Sequence, residues 1–242
     1  MTTDVIVVPP LYSGYPGVAF GGYVAGVLAQ RSGAKAVRVD FRGPVPVGSE
    51  VRIAVTDAGD AELGDPEKPL TTAVPVDAVS LHALALPEAP SWDEAIAAAE
   101  AYRAGPPPGS VDCFGCGPER TPERGLRQHC TLVPGRELVA TAWVPSPVLA
   151  ADDGTLPAEL VWGALDCPGF AAGRSLGTQQ AGAVTASLTG TLLRPVVAGE
   201  RYISYAWLLS ESGRKHTMAV AVSTAEGELC AVSQALWVDP RT

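Results

Sequence analysis

The sequence predicts an α+β protein made of two similar halves, and three observations indicate this fold class. Two stretches of alternating apolar residues, 39–55 and 191–206, carry a Pro and a Gly at the same relative positions. A Gly/Ala-rich apolar segment, 21–32 in one half and 158–173 in the other, precedes each stretch and has the length of a helix. Further strand patterns follow in both halves. One helix followed by antiparallel strands, twice over, is typical of a duplicated unit.

A third helix is predicted between the halves. Ser91 and Glu94 have the spacing of a capping box, and an alanine-rich run follows to about Ala104. The proline-rich stretch 105–109 then ends the helix, because proline cannot continue it. We expect this helix to face solvent and to join two domains. The expected division is an N-terminal unit (1–88), a helical linker (89–112) and a C-terminal unit (113–242).

Composition and charge exclude several functions. The 242 residues are 47% hydrophobic and 18% charged, which is enough apolar material for a folded core. A net charge of −9 without a basic stripe argues against nucleic-acid binding. We find no apolar stretch long enough to span a membrane and no export signal, so the five cysteines are expected to be reduced thiols in the cytoplasm.

The segment "LVWGALDCPG" places one carboxylate, Asp166, among apolar and small residues. A buried carboxylate is costly unless it is paired, hydrogen-bonded or protonated. Asp166 is therefore either a structural group, bonded to a Ser or Thr on a facing strand, or a functional one. Pro168 lacks an N–H and is expected to kink the helix beside it. The adjacent Cys167 is interpreted as a buried, inert thiol, because no histidine is near it in sequence to activate it.

The run "CFGCG" and the later "HC" supply four soft side chains, Cys113, Cys116, His129 and Cys130, in a number that suits tetrahedral zinc. However, His129 and Cys130 are neighbours, and neighbours on a strand point to opposite faces. We therefore expect no metal and no cofactor.

Other catalytic motifs are missing from the sequence. It contains no Gly-x-Ser-x-Gly elbow, no phosphate-binding loop and no dinucleotide fingerprint. His82 and His216 lie in strand-like stretches and are interpreted as surface or core residues.

Three segments together resemble the hotdog-fold acyl-thioesterases in the form that fuses two hotdog units. They are "FGGYVAGVLA" (20–29), "CFGCGPERTPERGL" (113–126) and "AELVWGALDCPG" (158–169). The resemblance covers most of the chain, roughly 12–86 and 125–238. It implies a double hotdog, in which each unit has a central helix wrapped by an antiparallel sheet and the two sheets are joined.

One branch, similar to phenylacetyl-CoA thioesterases, begins its helix with His-Gly-Gly and carries an acid nine residues after the His. In the first half the Phe-Gly-Gly run at 20–22 takes that place, and Ala29 stands where the acid would be. In the second half the Pro-Ala-Glu run at 157–159 takes it, and Asp166 is the acid. The two halves together would complete one site, while the mirror site would lack the necessary groups.

The resemblance implies hydrolysis of an acyl thioester. Gly21 and Gly22 would offer helix-start amides to the oxyanion, and Asp166 would act as base or nucleophile. Because substrate must fit between them, we expect about 5–8 Å between carboxylate and amides in the free protein. Close packing of helix on sheet is the alternative role of the glycines.

The acyl group would be carried on coenzyme A or an acyl carrier protein, and a homodimer is compatible with the family. Phe20, Trp162 and Phe170 are candidates to line an acyl pocket, with core packing as the alternative. Arg42 and Arg194 are candidates to meet phosphates, with simple solvation as the alternative.

Two other functions remain open at this point. The first is a non-catalytic protein that binds acyl-CoA or a small ligand, which Phe20 in place of His favours. The second is dehydration of a hydroxyacyl thioester on the same scaffold. Dehydration usually needs a histidine with the acid, and none aligns with either helix start.

Overall fold

The computed structural model of the protein describes residues 1–77 and 84–241, so His82 lies outside the described residues. Eleven strands form one sheet, and two short strands form a separate hairpin. In chain order the strands are β1 (Thr2–Val7), β2 (Ser13–Tyr15), β3 (Val18–Ala19), β4 (Ala36–Phe41), β5 (Glu50–Val55), β6 (Ala61–Asp65), β7 (Lys68–Pro75), β8 (Thr131–Leu132), β9 (Leu138–Trp143), β10 (Val184–Leu192), β11 (Tyr202–Ser212), β12 (Lys215–Thr224) and β13 (Leu229–Val238).

The large sheet consists of two halves with the same strand order. The first half runs β1-β5-β6-β7-β4, and the second runs β9-β11-β12-β13-β10 with β8 added at its outer edge. The halves join where β4 pairs antiparallel with β10, with Ala36 opposite Thr191 and Asp40 opposite Ser187. The repeat in the sequence therefore corresponds to equivalent strands, and the predicted α+β double hotdog is confirmed.

Two glycines explain part of that repeat. Gly48 lies before β5 and Gly199 before β11, at equivalent turns of the two halves. Both have positive φ angles, 71° and 84°, which favour glycine because it has no Cβ. The turn geometry thus accounts for the glycine shared by the two stretches.

The helices are α1 (Gly21–Ser32), α2 (Trp92–Ala104), α3 (Ala158–Ala164) and α4 (Cys167–Ser175). The bounds of α1 agree with the sequence prediction. It ends at Gly33, whose φ of 68° is left-handed and whose N–H caps the carbonyls of Ala29 and Gln30. At its other end no side chain caps α1, so the first N–H groups are left for other partners.

The second half contains two helices where one was predicted over 158–173. The break falls at Leu165 and Asp166, next to Pro168, which cannot donate an N–H to the preceding turn. The carbonyl of Leu165 accepts a hydrogen bond from the Ser233 hydroxyl at 3.0 Å instead of from the helix. Asp166 consequently lies at the junction between α3 and α4.

Helices α1 and α3 pack through small residues. A Cβ on Gly22 would lie 2.8 Å from the Cα of Gly163, and one on Gly26 would come closer still to the Cα of Glu159. Residue numbers rise along α1 as they fall along α3, so the helices are antiparallel, as predicted. Their apolar faces and that of α4 meet the inner face of the sheet in the main core.

The linker helix α2 begins and ends where the sequence predicted. The Ser91 hydroxyl accepts the N–H of Glu94 at 3.2 Å, and the Glu94 carboxylate accepts the N–H of Ser91 at 2.7 Å, which completes the capping box. However, α2 does not simply face solvent. It packs on β8 and β9 and buries four side chains there, Ala95, Ala98, Ala99 and Tyr102. The division into three segments stays a prediction.

None of the helices in 1–77 and 84–241 has the length and apolar character needed to cross a membrane.

Candidate active site

A cavity of about 480 Å³ lies where the two halves meet. The start of α1 and the turn after β4 form one side of it, and both belong to the first half. The loop before β8, the start of α4 and the strands β10 and β13 form the other side. Most of the lining is apolar, and Asp166 and three cysteine thiols are among its polar groups. This composition, apolar walls with a few convergent polar groups, is typical of a small-molecule site.

Asp166 lies at the base of this cavity, and its side chain is buried. The Thr185 hydroxyl, on β10, donates a hydrogen bond to Oδ1 at 3.1 Å, and the backbone amide of Gly22 lies near enough to favour the charged form of the carboxylate. Burial is the main cause that raises the pKa of Asp166 to about 7, and Cys113 adds to it. Thr185 and Gly22 act in the opposite direction and lower this pKa.

The carboxylate lies close to the start of α1, because a Cβ on Gly22 would be 2.9 Å from the Cβ of Asp166. The helix break at Leu165 leaves the Asp166 side chain at the junction of α3 and α4, against α1. The separation of about 5–8 Å expected between carboxylate and amides stays a prediction. The hydrogen bond from Thr185 is also the strand partner that a structural carboxylate was expected to have.

Gly21 differs from Gly22 in its surroundings. A Cβ on Gly21 would lie 3.2 Å from Oδ2 of Asp166 and 3.6 Å from the Phe41 ring, inside the cavity. In the part of the chain that the structure describes, the N–H of Gly21 has no hydrogen-bond acceptor. Gly22 instead faces the backbone of Gly163. Gly21 therefore lines the cavity and has an N–H without an acceptor among the described residues, and Gly22 serves the packing of α1 on α3.

Three of the five candidate substrate-binding residues line the cavity. Phe20 is buried at its inner wall, Phe170 is half-buried, and Arg42 is exposed at the rim. Trp162 does not line it, because its indole packs under β10, where a Cβ on Gly190 would lie 3.0 Å from the ring. Arg194 does not line it either.

Arg194 lies on the surface, away from this cavity. It forms an exposed ion pair with Glu228 at 3.2 Å, next to the turn that repeats the Arg42 turn in the second half. The predicted contact of Trp162 and Arg194 with substrate is therefore wrong for this cavity.

Sequence reasoning missed Thr185 and Trp237. They lie opposite each other on β10 and β13, and the Trp237 ring stands 5.3 Å from that of Phe170. Only the pairing register of β10 and β13 brings these two residues, which are 52 positions apart (237 − 185), together beside the cavity, so local patterns could not reveal them. The one available signal was the general expectation of a Ser or Thr on a facing strand.

The four soft side chains considered in the sequence, Cys113, Cys116, His129 and Cys130, do not come together. His129 stacks on Tyr102 with ring centroids 4.6 Å apart, and its Nε2 lies 3.2 Å from the carbonyl oxygen of Gly117. Cys130 is buried. Cys113 and Cys116 instead meet Cys167, and the three sulfur atoms lie within 4.8 Å of one another. His216, the other histidine described, bonds to Asp239 at 3.0 Å in a buried pair, in keeping with a core residue.

The mirror position lacks the same set of groups. Ala29 is buried where the first half would need an acid. At the start of α3, Glu159 stands in place of a glycine and packs against Gly26. One of its carboxylate oxygens has no hydrogen-bond partner among the described residues. The two ends of the helix pair are thus chemically different.

Comparisons with solved structures agree with this architecture over the whole chain. The tesB protein of Mycobacterium avium subspecies paratuberculosis is 19% identical, with 99% of this chain and 93% of that one covered and a TM-score of 0.63. A protein from Thermobifida fusca, described provisionally as thioesterase II, is 17% identical, with 100% and 93% covered and a TM-score of 0.60. A conserved protein of unknown function with a hot dog fold, from Alicyclobacillus acidocaldarius, is 12% identical, with 99% and 94% covered and a TM-score of 0.57.

The fold and its neighbours define a class, the double-hotdog proteins. No family model matches the sequence, and a search of curated proteins finds no match. At identities below 20% the structural likeness establishes the fold. The narrower resemblance to phenylacetyl-CoA thioesterases stays a prediction.

Proposed function

We propose that the protein hydrolyses an acyl thioester in the cavity between its halves. The observation that carries this proposal is the position of the Asp166 carboxylate beside Gly21, the first residue of α1, with the two residues contributed by different halves. Two neighbours of the same fold support it: one is named tesB, and another is described provisionally as a thioesterase.

The chemistry requires an oxyanion donor and a group that acts on water or on the acyl carbon. In the proposed reaction the N–H of Gly21 donates to the thioester carbonyl oxygen, aided by the positive end of the α1 dipole. Asp166 either takes a proton from the attacking water or attacks the carbonyl carbon itself. In the first route the carbon–sulfur bond then breaks, and the thiol leaves with the proton that Asp166 took from water. In the second route the thiolate leaves from the carbonyl carbon, and water then hydrolyses the anhydride between Asp166 and the acyl group, which frees the acid and restores the carboxylate. The hydroxyl of Thr185 holds the carboxylate in place.

The proposed substrate is an acyl group on coenzyme A or on an acyl carrier protein. The apolar wall, with Phe20, Phe170 and Trp237, suits an apolar acyl or aryl group. Arg42 at the exposed rim is the residue proposed to meet a phosphate of the carrier. The dehydratase alternative is less favoured, because no histidine is found among the described residues that line the cavity.

The test is Asp166→Asn, which keeps the shape of the side chain and removes its charge. Assayed by thiol release from a panel of acyl-CoA substrates, the variant is expected to lose about 10²–10⁴-fold in kcat. Asp152→Asn is the matched control, because Asp152 is exposed, and it should keep full activity. Full turnover by the Asp166→Asn protein would contradict the proposal.

The same panel separates hydrolysis from simple binding. If calorimetry shows acyl-CoA binding while the unaltered protein releases no thiol, the protein is a ligand-binding member of the fold. Thiol release that depends on Asp166 supports the hydrolase.

A further inference from the structure

Three thiols from two distant segments of the sequence meet at one wall of the cavity. Cys113 and Cys116 belong to the loop before β8, and Cys167 is the first residue of α4. The sulfur atoms of Cys113 and Cys167 are 3.9 Å apart, and all three sulfur atoms lie within 4.8 Å of one another. Zinc–sulfur bonds of about 2.3 Å in a tetrahedron place sulfur atoms about 3.8 Å apart. The cluster is therefore close to the spacing of zinc ligands.

Glycines shape the loop around these sulfur atoms. A Cβ on Gly115 would lie 2.5 Å from the sulfur of Cys167, so only glycine lets the third thiol approach. A Cβ on Gly117 would lie 2.7 Å from the carbonyl oxygen of Cys113, which its own N–H caps at 2.7 Å. The Cys-x-x-Cys-Gly turn is thus closed tightly, and both of its sulfur atoms face Cys167.

The turn also supplies a backbone donor to one of the sulfur atoms. The N–H of Gly115 donates to the sulfur of Cys113 at 3.3 Å. A thiolate is the form of cysteine that binds a metal, and a backbone donor stabilises its negative charge.

We propose that Cys113, Cys116 and Cys167 bind one zinc ion through their thiolates, with the fourth coordination position open to the cavity. Three sulfur donors select zinc over calcium or magnesium, which prefer oxygen. Binding releases the thiol protons to solvent. An open fourth position is the arrangement of zinc sites that accept water or a substrate atom. This set of ligands differs from the four side chains weighed in the sequence, because Cys167 takes part and His129 and Cys130 do not.

Cobalt titration tests this site directly. The metal-stripped, reduced protein is titrated with Co²⁺, which adopts zinc geometry and gives sulfur-to-metal charge-transfer absorption when thiolates bind it. We expect one Co²⁺ per chain, displaced by one equivalent of Zn²⁺. Loss of a residue that only supports a metal ligand typically lowers metal affinity by about 10–100-fold. We therefore expect at least this loss of affinity when a ligand itself is replaced, in Cys113→Ser, Cys116→Ser and Cys167→Ser. Cys130→Ala is the matched control and should bind normally.

A second measurement does not depend on how the variants fold. In the unaltered protein, Zn²⁺ should protect Cys113, Cys116 and Cys167 from alkylation, as followed by mass spectrometry. Cys230 should be unaffected by the ion, because its sulfur donates to the carbonyl of Glu228, away from the cluster.

Three results would overturn the proposal: no charge-transfer band, undiminished binding by Cys167→Ser, or a disulfide within the cluster in reduced preparations. None of these measurements involves thioester hydrolysis, so the zinc site and the proposed activity are tested independently of each other.

Discussion

Gly22 and Gly163 face each other where α1 crosses α3, and a Cβ on Gly22 would lie 2.8 Å from the Cα of Gly163 and 2.9 Å from the Cβ of Asp166. Neither neighbour is the flexible end of a side chain, so the helices would have to separate. Gly22→Ala is expected to lower the free energy of unfolding by about 1–3 kcal/mol. Urea denaturation measures this change.

The control for this substitution is Gly105→Ala. Gly105 follows α2, has a φ of −153°, and a Cβ there would meet no atom within 4 Å. Its stability should match that of the unaltered protein. Equal stability of the Gly22→Ala variant would show that the helices can move apart at little cost.

Gly21→Ala is expected to affect activity rather than stability. The new Cβ would lie 3.2 Å from Oδ2 of Asp166, in the space proposed for the thioester carbonyl. Alanine is the better helix former, so the fold should be kept. Displacement of the thioester carbonyl by this Cβ is expected to lower kcat/KM by about 100-fold. Steady-state kinetics and a melting curve on the same sample measure both effects, and a variant that unfolds would assign Gly21 to packing.

Thr185→Val tests how Asp166 is positioned. The substitution keeps the shape of the side chain and removes the hydroxyl that donates to Oδ1 at 3.1 Å. A hydrogen bond to a charged group contributes about 1.5–3 kcal/mol, so kcat should fall roughly 10- to 100-fold. Thr185→Ser, which retains the hydroxyl, should restore most of the rate. An equal loss in both variants would mean that the methyl group and not the hydroxyl matters.

His129 predicts a dependence of stability on pH. Burial, aided by Arg127 and Arg103, lowers the pKa of His129 to about 4, and the Gly117 carbonyl opposes this only partly. The folded protein therefore holds a neutral imidazole that the unfolded chain protonates below about pH 6.5. Above pH 6.5 His129 therefore does not lower the free energy of unfolding. As the pH falls from 6.5 towards 4, it lowers this free energy by about 1.4 kcal/mol per pH unit.

Denaturation at several pH values between 4 and 7 measures that dependence. Carboxylates also titrate in this range, so the relevant quantity is the difference between the unaltered protein and His129→Gln. The variant should lose less stability on acidification. Identical slopes would show that the imidazole is already able to take up a proton in the folded state.

Local signals accounted for much of the fold. The bounds of α1 agree with the prediction because Gly33 ends the apolar run with a left-handed residue. Those of α2 agree because the Ser91 capping box acts within four residues. The duplication was also visible locally, because the turns at Gly48 and Gly199 each require a positive φ angle and therefore a glycine.

Features that depend on long-range packing were predicted less well. Trp162 packs under Gly190 instead of lining the cavity, although it precedes Asp166 by only about one helical turn in the sequence. The meeting of Cys113 and Cys167, 54 positions apart, depends on how the loop before β8 crosses the start of α4. Neither periodicity nor spacing carries that information.

The pairing of β4 with β10 joins the two half-sheets within one chain, whereas a dimer of identical subunits would join them across an interface. In a symmetric dimer every substitution is made twice, so the two ends of the helix pair must keep the same chemistry. Here Ala29 and Asp166 are encoded by separate codons, and a change at one leaves the other untouched. Each end is free to acquire its own mutations, and the Glu159 end has room to diverge without loss of the Gly21 end.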